Sequence, residues 1–200
     1  MNKLSQRAGL GLMGKQTITL RDKNGRTKKL WNDNVIGKFI LSILRAISKG
    51  KIAMYGIRIP YITGKYSDQL EVKNLITSAG KAGMASRING SGSEDAFTYL
   101  AVGTGTTAAA AGDTTLETEI SDSGLERAAA TASRQMTSVT NDTARLLKTW
   151  TASGSKAVTE VGALNAGSAG VLLGRQVFSA INVTSGDSLQ VTYDFIVSAS

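Results

Sequence analysis

The last third of the chain, residues 128–198, consists of short segments in which apolar and polar residues alternate. The clearest segment covers residues 188–197. Because a strand points successive side chains to opposite faces, this pattern predicts a strand with one buried face and one solvated face. Similar segments recur between turns of Gly, Asn and Ser, which predicts a scaffold of several antiparallel strands. The apolar members of the clearest segment are Leu189, Val191, Tyr193, Phe195 and Val197.

The spacing of these strands predicts the fold class and three units along the chain. We expect a mainly β protein whose body, residues 93–200, is an antiparallel β-sandwich of the jelly-roll type. Residues 16–92 are expected to add an N-terminal hairpin and two helices. Residues 1–15 are basic and glycine-rich, which predicts an irregular arm.

Local patterns specify the hairpin and the two helices. The sequence Asp-Lys-Asn-Gly at residues 22–25 favours the positive φ of a tight hairpin turn. Residues 35–48 are predicted to form a helix, because their apolar residues fall on one helical face. A second helix is predicted over residues 75–88, with a face of small residues that lets another backbone approach closely. The apolar face of the first helix consists of Ile36, Ile40, Ile43, Leu44 and Ile47.

The residue types that the chain lacks exclude several kinds of site. It contains no Cys and no His. Disulfides, thiolate metal sites and Ser-His-Asp triads are therefore excluded within this chain. We expect a protein that is not an enzyme and that has no cofactor, no metal and no small-molecule substrate.

Charge is distributed unevenly along the chain. Residues 1–90 contain 17 Lys and Arg against 4 Asp and Glu, whereas residues 91–200 contain 6 against 11. A basic half of this kind could face nucleic acid or an acidic surface of another protein, and copies of the chain could pair basic half to acidic half. No recognition helix or zinc finger accompanies the basic residues, so protein contact is the favoured interpretation. The candidate partner-binding residues are Arg7, Lys15, Lys23, Arg26, Lys28, Lys29 and Trp31.

Two glycine-rich stretches approach the pattern of a phosphate-binding loop. Residues 9–16 read Gly-Leu-Gly-Leu-Met-Gly-Lys-Gln, but Gln16 stands where such a loop needs Ser or Thr, and the residues that follow predict a strand rather than a helix. Residues 103–107 are also glycine-rich but lack a Lys. We interpret the first stretch as part of the arm and the second as a turn at the end of the body.

Four carboxylates lie close together in the sequence: Glu117, Glu119, Asp122 and Glu126. Paired carboxylates can hydrolyse glycosides, and carboxylate oxygens can bind calcium. The spacing matches no EF-hand loop, however. The favoured interpretation is a solvated acidic segment.

Several stretches resemble structural proteins of tailed bacteriophages. They are residues 97–107 (FTYLAVGTGTT), 113–120 (DTTLETEI), 157–166 (AVTEVGALNA), 172–178 (LLGRQVF) and 186–193 (GDSLQVTY). The hairpin turn and residues 74–82 fit the same group. The resemblance covers residues 74–198, and it implies a non-enzymatic virion component that is present in many copies, of the tail, fibre-associated or capsid-surface type.

The resemblance also implies partners and a location. The expected partners are copies of the chain itself and other virion proteins, such as capsid, portal, tail or adaptor proteins, in a particle assembled in the host cytoplasm. No membrane is expected, because no signal peptide is visible and the most apolar run, residues 35–47, is shorter than the ~20 residues that a membrane span needs. Two alternatives stay open: a nucleic-acid-binding module, and a receptor- or carbohydrate-binding tip that would expose aromatic residues such as Trp31 and Trp150.

Overall fold

A computed structural model of the protein describes residues 10–32 and 65–199. The predicted helix over residues 35–48 and the candidate residue Arg7 lie outside the described residues. For Trp31 only the backbone is described. The described part of the chain is mainly β, which confirms the predicted fold class at this level.

Within these residues the chain forms twelve strands and one helix. The strands of the first half are β1 (Leu10–Arg21), β2 (Thr27–Lys28), β3 (Leu30–Asn32), β4 (Lys65–Ser67) and β5 (Leu70–Ile76), followed by the helix α1 (Ser78–Asn89). The strands of the second half are β6 (Tyr99–Gly103), β7 (Ala128–Ala129), β8 (Thr131–Gln135), β9 (Thr143–Thr151), β10 (Lys156–Leu164), β11 (Leu172–Val183) and β12 (Ser188–Ala199).

Ten of the described strands form one antiparallel sheet. Its order is β7-β6-β10-β11-β5-β1-β12-β9-β8, with β2 paired to the last residues of β1, while β3 and β4 pair with each other. The strands β1 and β12 lie side by side over their whole length, from Leu10 opposite Ala199 to Arg21 opposite Ser188. Both ends of the described chain therefore lie at the same end of the sheet.

The sheet nearly closes on itself because one stretch of chain serves both of its edges. The strand β7 pairs with β6 at one edge and β8 pairs with β9 at the other, yet only Ala130 separates β7 from β8. The Ala130 N–H continues the first ladder by donating to the Thr98 carbonyl (2.8 Å). A sandwich of two stacked sheets is not confirmed, because ten of the described strands join into one curved sheet and the other two, β3 and β4, form only a short separate pair.

The predicted unit boundaries fall inside this sheet. The strands β1 and β5, from the part assigned to residues 16–92, lie between β11 and β12 of the body assigned to residues 93–200. The predicted arm over residues 1–15 also needs correction, because β1 begins at Leu10. At least one of the glycines that suggested an irregular arm has a packing role within this strand. A Cβ at Gly14 would lie 1.4 Å from Asn74 Oδ1, so the close approach of β5 requires glycine at this position.

The interior of the curved sheet is filled by the alternating residues that the sequence predicts to be buried. In β12, Leu189, Val191 and Tyr193 are fully buried and Phe195 nearly so, whereas Val197 at the end of the strand is exposed. The neighbouring strand β1 contributes side chains to the same interior face of the sheet. The strands β10 and β11 supply further core side chains. Further core residues include Ile18, Leu20, Leu100, Val102, Leu146, Trp150, Val158, Val161 and Ile181.

The helix α1 confirms the second predicted helix, although β5 continues to Ile76 and the helix starts later than predicted. Its N-cap is Thr77, whose side-chain oxygen accepts from the Gly80 N–H (2.9 Å), and it ends at Gly90 in the left-handed conformation. The helix packs against β11 through Gly80, where a Cβ would lie 2.2 Å from the Leu173 carbonyl oxygen. Close approach through small residues is thus confirmed at this contact.

The predicted hairpin turn is also confirmed. The Asp22 N–H donates to the Arg26 carbonyl (2.8 Å), and Gly25 adopts a φ of +79°. The return strand β2 is short, because the chain leaves β1 after Lys28 and continues into β3. Residues 114–120 belong to the irregular loop between β6 and β7.

Candidate functional site

A buried charged pair lies on the outer face of β10 and β11. Arg175 Nε donates to Glu160 Oε2 over 2.7 Å, and the two side chains are 3% and 0% exposed. Arg175 also reaches Asp113 Oδ2 (2.8 Å), the Thr107 carbonyl (3.1 Å) and Glu117 Oε2 (3.3 Å). One guanidinium thus connects two strands to the long loop between β6 and β7.

The carboxylate of Glu160 binds the backbone of the same loop. Its Oε1 accepts from the N–H groups of Gly105 (3.0 Å) and Thr118 (2.8 Å), and its Oε2 accepts from the N–H of Glu117 (3.1 Å). A Cβ at Gly105 would lie 2.5 Å from Glu160 Oε1, so the loop needs glycine for this approach. The glycine-rich stretch over residues 103–107 therefore cradles an anion, but the anion is a carboxylate of its own chain.

The other two acids of the network are held in their ionised form. Burial opposes the ionisation of Asp113, but the Ala110 N–H and the Arg175 guanidinium outweigh it and lower the pKa of this carboxyl. The hydroxyl and the N–H of Thr107 lower the pKa of Glu117, with a further contribution from Arg175. A cavity of about 380 Å³ opens beside these side chains. Since their oxygens already bind Arg175 and loop groups, the arrangement fixes the loop.

The acidic residues singled out in the sequence are distributed among separate partners. Glu119 pairs with Arg127 and Asp122 pairs with Lys156, while Glu126 accepts from the Gly124 N–H. The interpretation as a solvated segment was thus incomplete, because ion pairs within the chain hold three of these four carboxylates, those of Glu117, Glu119 and Asp122. Among the described side chains, no group of three acids is placed to hold a metal ion.

Three of the candidate partner-binding residues form ion pairs within the chain. Lys15 contacts Glu71 (2.9 Å), Lys28 contacts the buried Asp187 (2.6 Å), and Lys29 contacts Asp68 (2.7 Å). These contacts neutralise part of the basic surface that the sequence suggests. Their pairing with acids of β5, of the turn before β5 and of the turn before β12 was not predictable from the sequence.

Two further candidates lie at the tip of the hairpin. Lys23 and Arg26 are exposed in the β1–β2 turn, and neither forms an ion pair with another described residue. Trp31 lies in β3, and Arg7 lies outside the described residues. The structure therefore brings Lys23, Arg26, Lys28 and Lys29 to one turn and its flank, while Lys15 lies further along β1.

The second tryptophan is not available for an exposed binding groove. Trp150 is buried, and its Nε1 donates to the Glu126 carbonyl (2.8 Å). The tip alternative that relied on exposed aromatics loses one of its two tryptophans.

A feature without a sequence signal is an apolar groove at the end of the sheet where both chain ends lie. The groove holds about 310 Å³, between Met84 and Ile88 of α1 on one side and Phe195 and Val197 of β12 on the other. We call the surface around this groove the apolar end. Two of its lining side chains are exposed large hydrophobics, Ile88 (78%) and Val197 (41%). The other exposed large hydrophobic side chains among the described residues, which do not line the groove, are Met13, Met136 and Val139.

The strand pairing divides these five residues between the two faces of the sheet. Met13 is opposite Ile196, so it lies on the face away from Phe195 and Val197, where it lines a separate cavity with Lys15 and Lys73. Thr143 at the start of β9 pairs with Ile196 and with Gln135 of β8. The β8–β9 turn, which carries Met136 and Val139, therefore lies at the same end as Val197. Ile88 lines the same groove as Val197.

No family model, curated protein or solved structure matches the chain. Among the described residues, no helix is long and apolar enough to cross a membrane.

Proposed function

We propose that this protein is a non-enzymatic structural component of a tailed-phage particle, assembling in multiple copies on the tail, the collar or the capsid surface. The observation that carries the proposal is the apolar end. Exposed apolar residues scattered singly are normal on a protein surface, but Ile88 and Val197 are both exposed along one apolar groove of about 310 Å³, which favours an interaction surface.

The rest of the described body supports a scaffold role. Its sheet nearly closes, which leaves little unpaired edge for unwanted association. The long β6–β7 loop is fixed by Arg175 and Glu160 rather than left free, as a rigid building block requires. The phage resemblance of residues 74–198 is consistent with such a building block.

The basic hairpin tip supplies a second contact in this proposal. Lys23 and Arg26 are exposed and lack described acidic partners, so they would meet acidic surfaces of capsid, portal, tail or adaptor proteins. Charge at such a rim mainly speeds and orients association. The ion pairs of Lys15, Lys28 and Lys29 leave a smaller positive surface than the sequence suggests, which favours protein over nucleic acid as the partner.

The experiment is incorporation into particles during infection, with the tagged protein supplied from a plasmid. A Lys23→Glu/Arg26→Glu variant is expected to be expressed and folded but to enter density-purified particles less efficiently than the wild type. Lys81→Glu, an exposed lysine on α1, is the matched control. Steep, salt-dependent DNA binding by the purified wild type, without incorporation, would support the nucleic-acid alternative instead.

A further inference from the structure

We infer that the Asn24–Gly25 step at the tip of the β1–β2 hairpin is a site of spontaneous modification, at which the Asn24 amide is lost as ammonia and a carboxylate replaces it. The chain contains nine Asn residues, and Gly follows only two of them, Asn24 and Asn89. Glycine carries no side chain that would hinder a reaction at its own backbone nitrogen. The structure distinguishes between these two steps.

The reaction needs no enzyme and no co-reactant except water. The Gly25 backbone nitrogen attacks Cγ of Asn24, so that a C–N bond forms and the bond between Cγ and Nδ2 breaks. The amide leaves as ammonia, which takes up the proton released by the Gly25 N–H. Water then opens the resulting five-membered imide at either of its carbonyls, and the products are aspartate and isoaspartate at position 24.

At the hairpin tip the reacting side chain is free of hydrogen bonds within the described part of the chain. Asn24 and Gly25 are both exposed, and a Cβ built at Gly25 meets no atom within 4 Å. The Asn24 backbone N–H donates to Asp22 Oδ1 (2.9 Å), but its side-chain amide contacts no described hydrogen-bond partner. This side chain can therefore rotate toward the Gly25 nitrogen without losing a hydrogen bond.

The obstacle at this site is the hydrogen bonding of the turn. The Gly25 N–H donates to the Asp22 carbonyl (2.9 Å), and the Arg26 N–H donates to Asp22 Oδ1 (2.9 Å). The attack requires the first of these bonds to open. The strand β2 beyond the turn has two residues, and both pair with the end of β1. Because exposed segments with few buried contacts open locally at a small cost in free energy, the tip can open while the core stays folded.

The second Asn–Gly step is held more firmly. Asn89 is the last residue of α1, and its Oδ1 accepts from the Ser91 N–H (2.9 Å). The Gly90 N–H donates to the Ser86 carbonyl (2.9 Å) at the end of the helix. Attack on Cγ of Asn89 therefore requires two hydrogen bonds to break at the end of a helix that packs against β11. In the folded protein Asn24 should react first.

The new carboxylate would lie inside the basic hairpin tip. Lys23 precedes Asn24 and Arg26 follows Gly25, so the modification removes part of the positive charge that would attract an acidic partner. The isoaspartate product also lengthens the backbone between Asp22 and Arg26, whose N–H and carbonyl close the turn. This consequence for assembly, unlike the chemistry, rests on the proposed function.

The first test is ageing of the folded full chain in neutral buffer at physiological temperature, followed by cleavage before aspartate residues. Asn24 and Asn89 then fall in separate peptides, residues 22–32 and 68–94, and mass spectrometry gives the deamidation rate of each. Asn24 is expected to react at least about tenfold faster than Asn89 in the folded protein. In guanidinium the two rates should become similar. Equal rates in the folded protein, or reaction of Asn24 only after denaturation, would overturn the inference.

The second test changes the turn itself. Asp22→Ala removes the carboxylate that accepts from the Asn24 and Arg26 N–H groups, so deamidation of Asn24 should accelerate several-fold. Asp68→Ala is the matched control, because it removes an exposed acid that pairs with Lys29 outside the turn, and it should leave the rate unchanged. An Asp22→Ala variant that reacts no faster than Asp68→Ala would contradict the step in which the turn opens.

Incorporation into particles separates this inference from the proposed function. Asn24→Asp is expected to enter particles less efficiently than the wild type, and Asn89→Asp equally well. Deamidation of Asn24 together with normal incorporation of Asn24→Asp would remove its consequence for assembly. Absence of the wild type from particles would remove the proposed function and leave the chemistry of Asn24 standing.

Discussion

Arg175 and Glu160 form a nearly solvent-free ion pair on the outer face of the sheet, with 2.7 Å between Nε and Oε2. Both side chains also bind the loop between β6 and β7. Arg175 donates to the side chains of two acids and to one carbonyl of this loop, and Glu160 accepts from three of its backbone N–H groups. The pair therefore connects the sheet to its longest described loop. Removing one member would leave the other charge buried without its partner.

We expect Arg175→Ala to lower the free energy of unfolding by about 3 to 5 kcal/mol, the usual cost of leaving a buried charge unpaired. Urea unfolding followed by tryptophan fluorescence measures this change. Lys29→Ala is the control, because Lys29 and Asp68 are 60% and 61% exposed and such pairs contribute little. Equal costs for the two substitutions would contradict the role assigned to Arg175.

Gly80→Ala should destabilise the protein by about 1 to 3 kcal/mol, because the added Cβ would lie 2.2 Å from the Leu173 carbonyl oxygen and the helix would have to move away from β11. Gly112→Ala is the matched control, since a Cβ there meets no atom within 4 Å. The midpoints of urea unfolding compare the two variants. A neutral Gly80→Ala would show that α1 does not pack on β11 as described.

Gln16→Leu should stabilise the protein or leave it unchanged. Gln16 is fully buried opposite Tyr193, and neither polar atom of its amide forms a hydrogen bond of ordinary geometry, although the amide is close enough to the Tyr193 hydroxyl to oppose the rise in pKa that burial causes there. An unpaired buried amide costs free energy that a leucine of similar size does not. Thermal unfolding measures the effect, and Gln190→Leu on the solvated face of β12 serves as the control. A loss of more than about 1 kcal/mol would mean that the amide does find a partner.

The carboxylate of Asp142 should contribute to stability in a pH-dependent way. Three backbone N–H groups, those of Thr137, Ser138 and Val139, hold its pKa well below the ordinary value of 3.8. A carboxyl whose pKa is lower in the folded than in the unfolded state stabilises the folded protein at pH values above the unfolded-state pKa. This contribution is lost as the pH falls toward the folded-state pKa. Below about pH 4, the unfolding free energy of the wild type should therefore fall more steeply than that of Asp142→Asn. Parallel pH profiles would contradict this assignment.

Deletion of residues 1–9 should leave the fold intact, whereas deletion of residues 1–15 should strongly destabilise it. The second deletion removes half of β1, which lies between β5 and β12 in the middle of the sheet. Circular dichroism and urea unfolding of the two truncated proteins test this difference. Equal stability would mean that residues 10–15 do not pair with β12.

The sequence predicted the structure best for strands that bury one face and expose the other. The alternation in β12 and the turn at residues 22–25 each follow from local chemistry, and both are confirmed. The closure of the sheet was not predictable, because it depends on Ala130, where the chain passes from one edge of the sheet to the other. No local pattern marks a strand that changes partners halfway.

The buried charges show a different limit. Glu160 and Arg175 interrupt otherwise apolar strands, in AVTEVGAL and LLGRQVF. Opposite charges in two apolar strands were a signal for a buried pair. The partners Asp113 and Thr107 come from a loop whose path no strand pattern specifies. The apolar end was hidden for the same reason, since the exposure of Ile88 and Val197 depends on how distant elements meet.

The central claim is that the protein is a structural part of a phage particle, and the most direct measurement is its copy number in particles purified by density gradient. Quantitative mass spectrometry against isotope-labelled peptides gives that number relative to a known virion protein. We expect several copies per particle at a constant ratio between preparations. Abundant protein in the infected-cell lysate together with its absence from purified particles would contradict the claim.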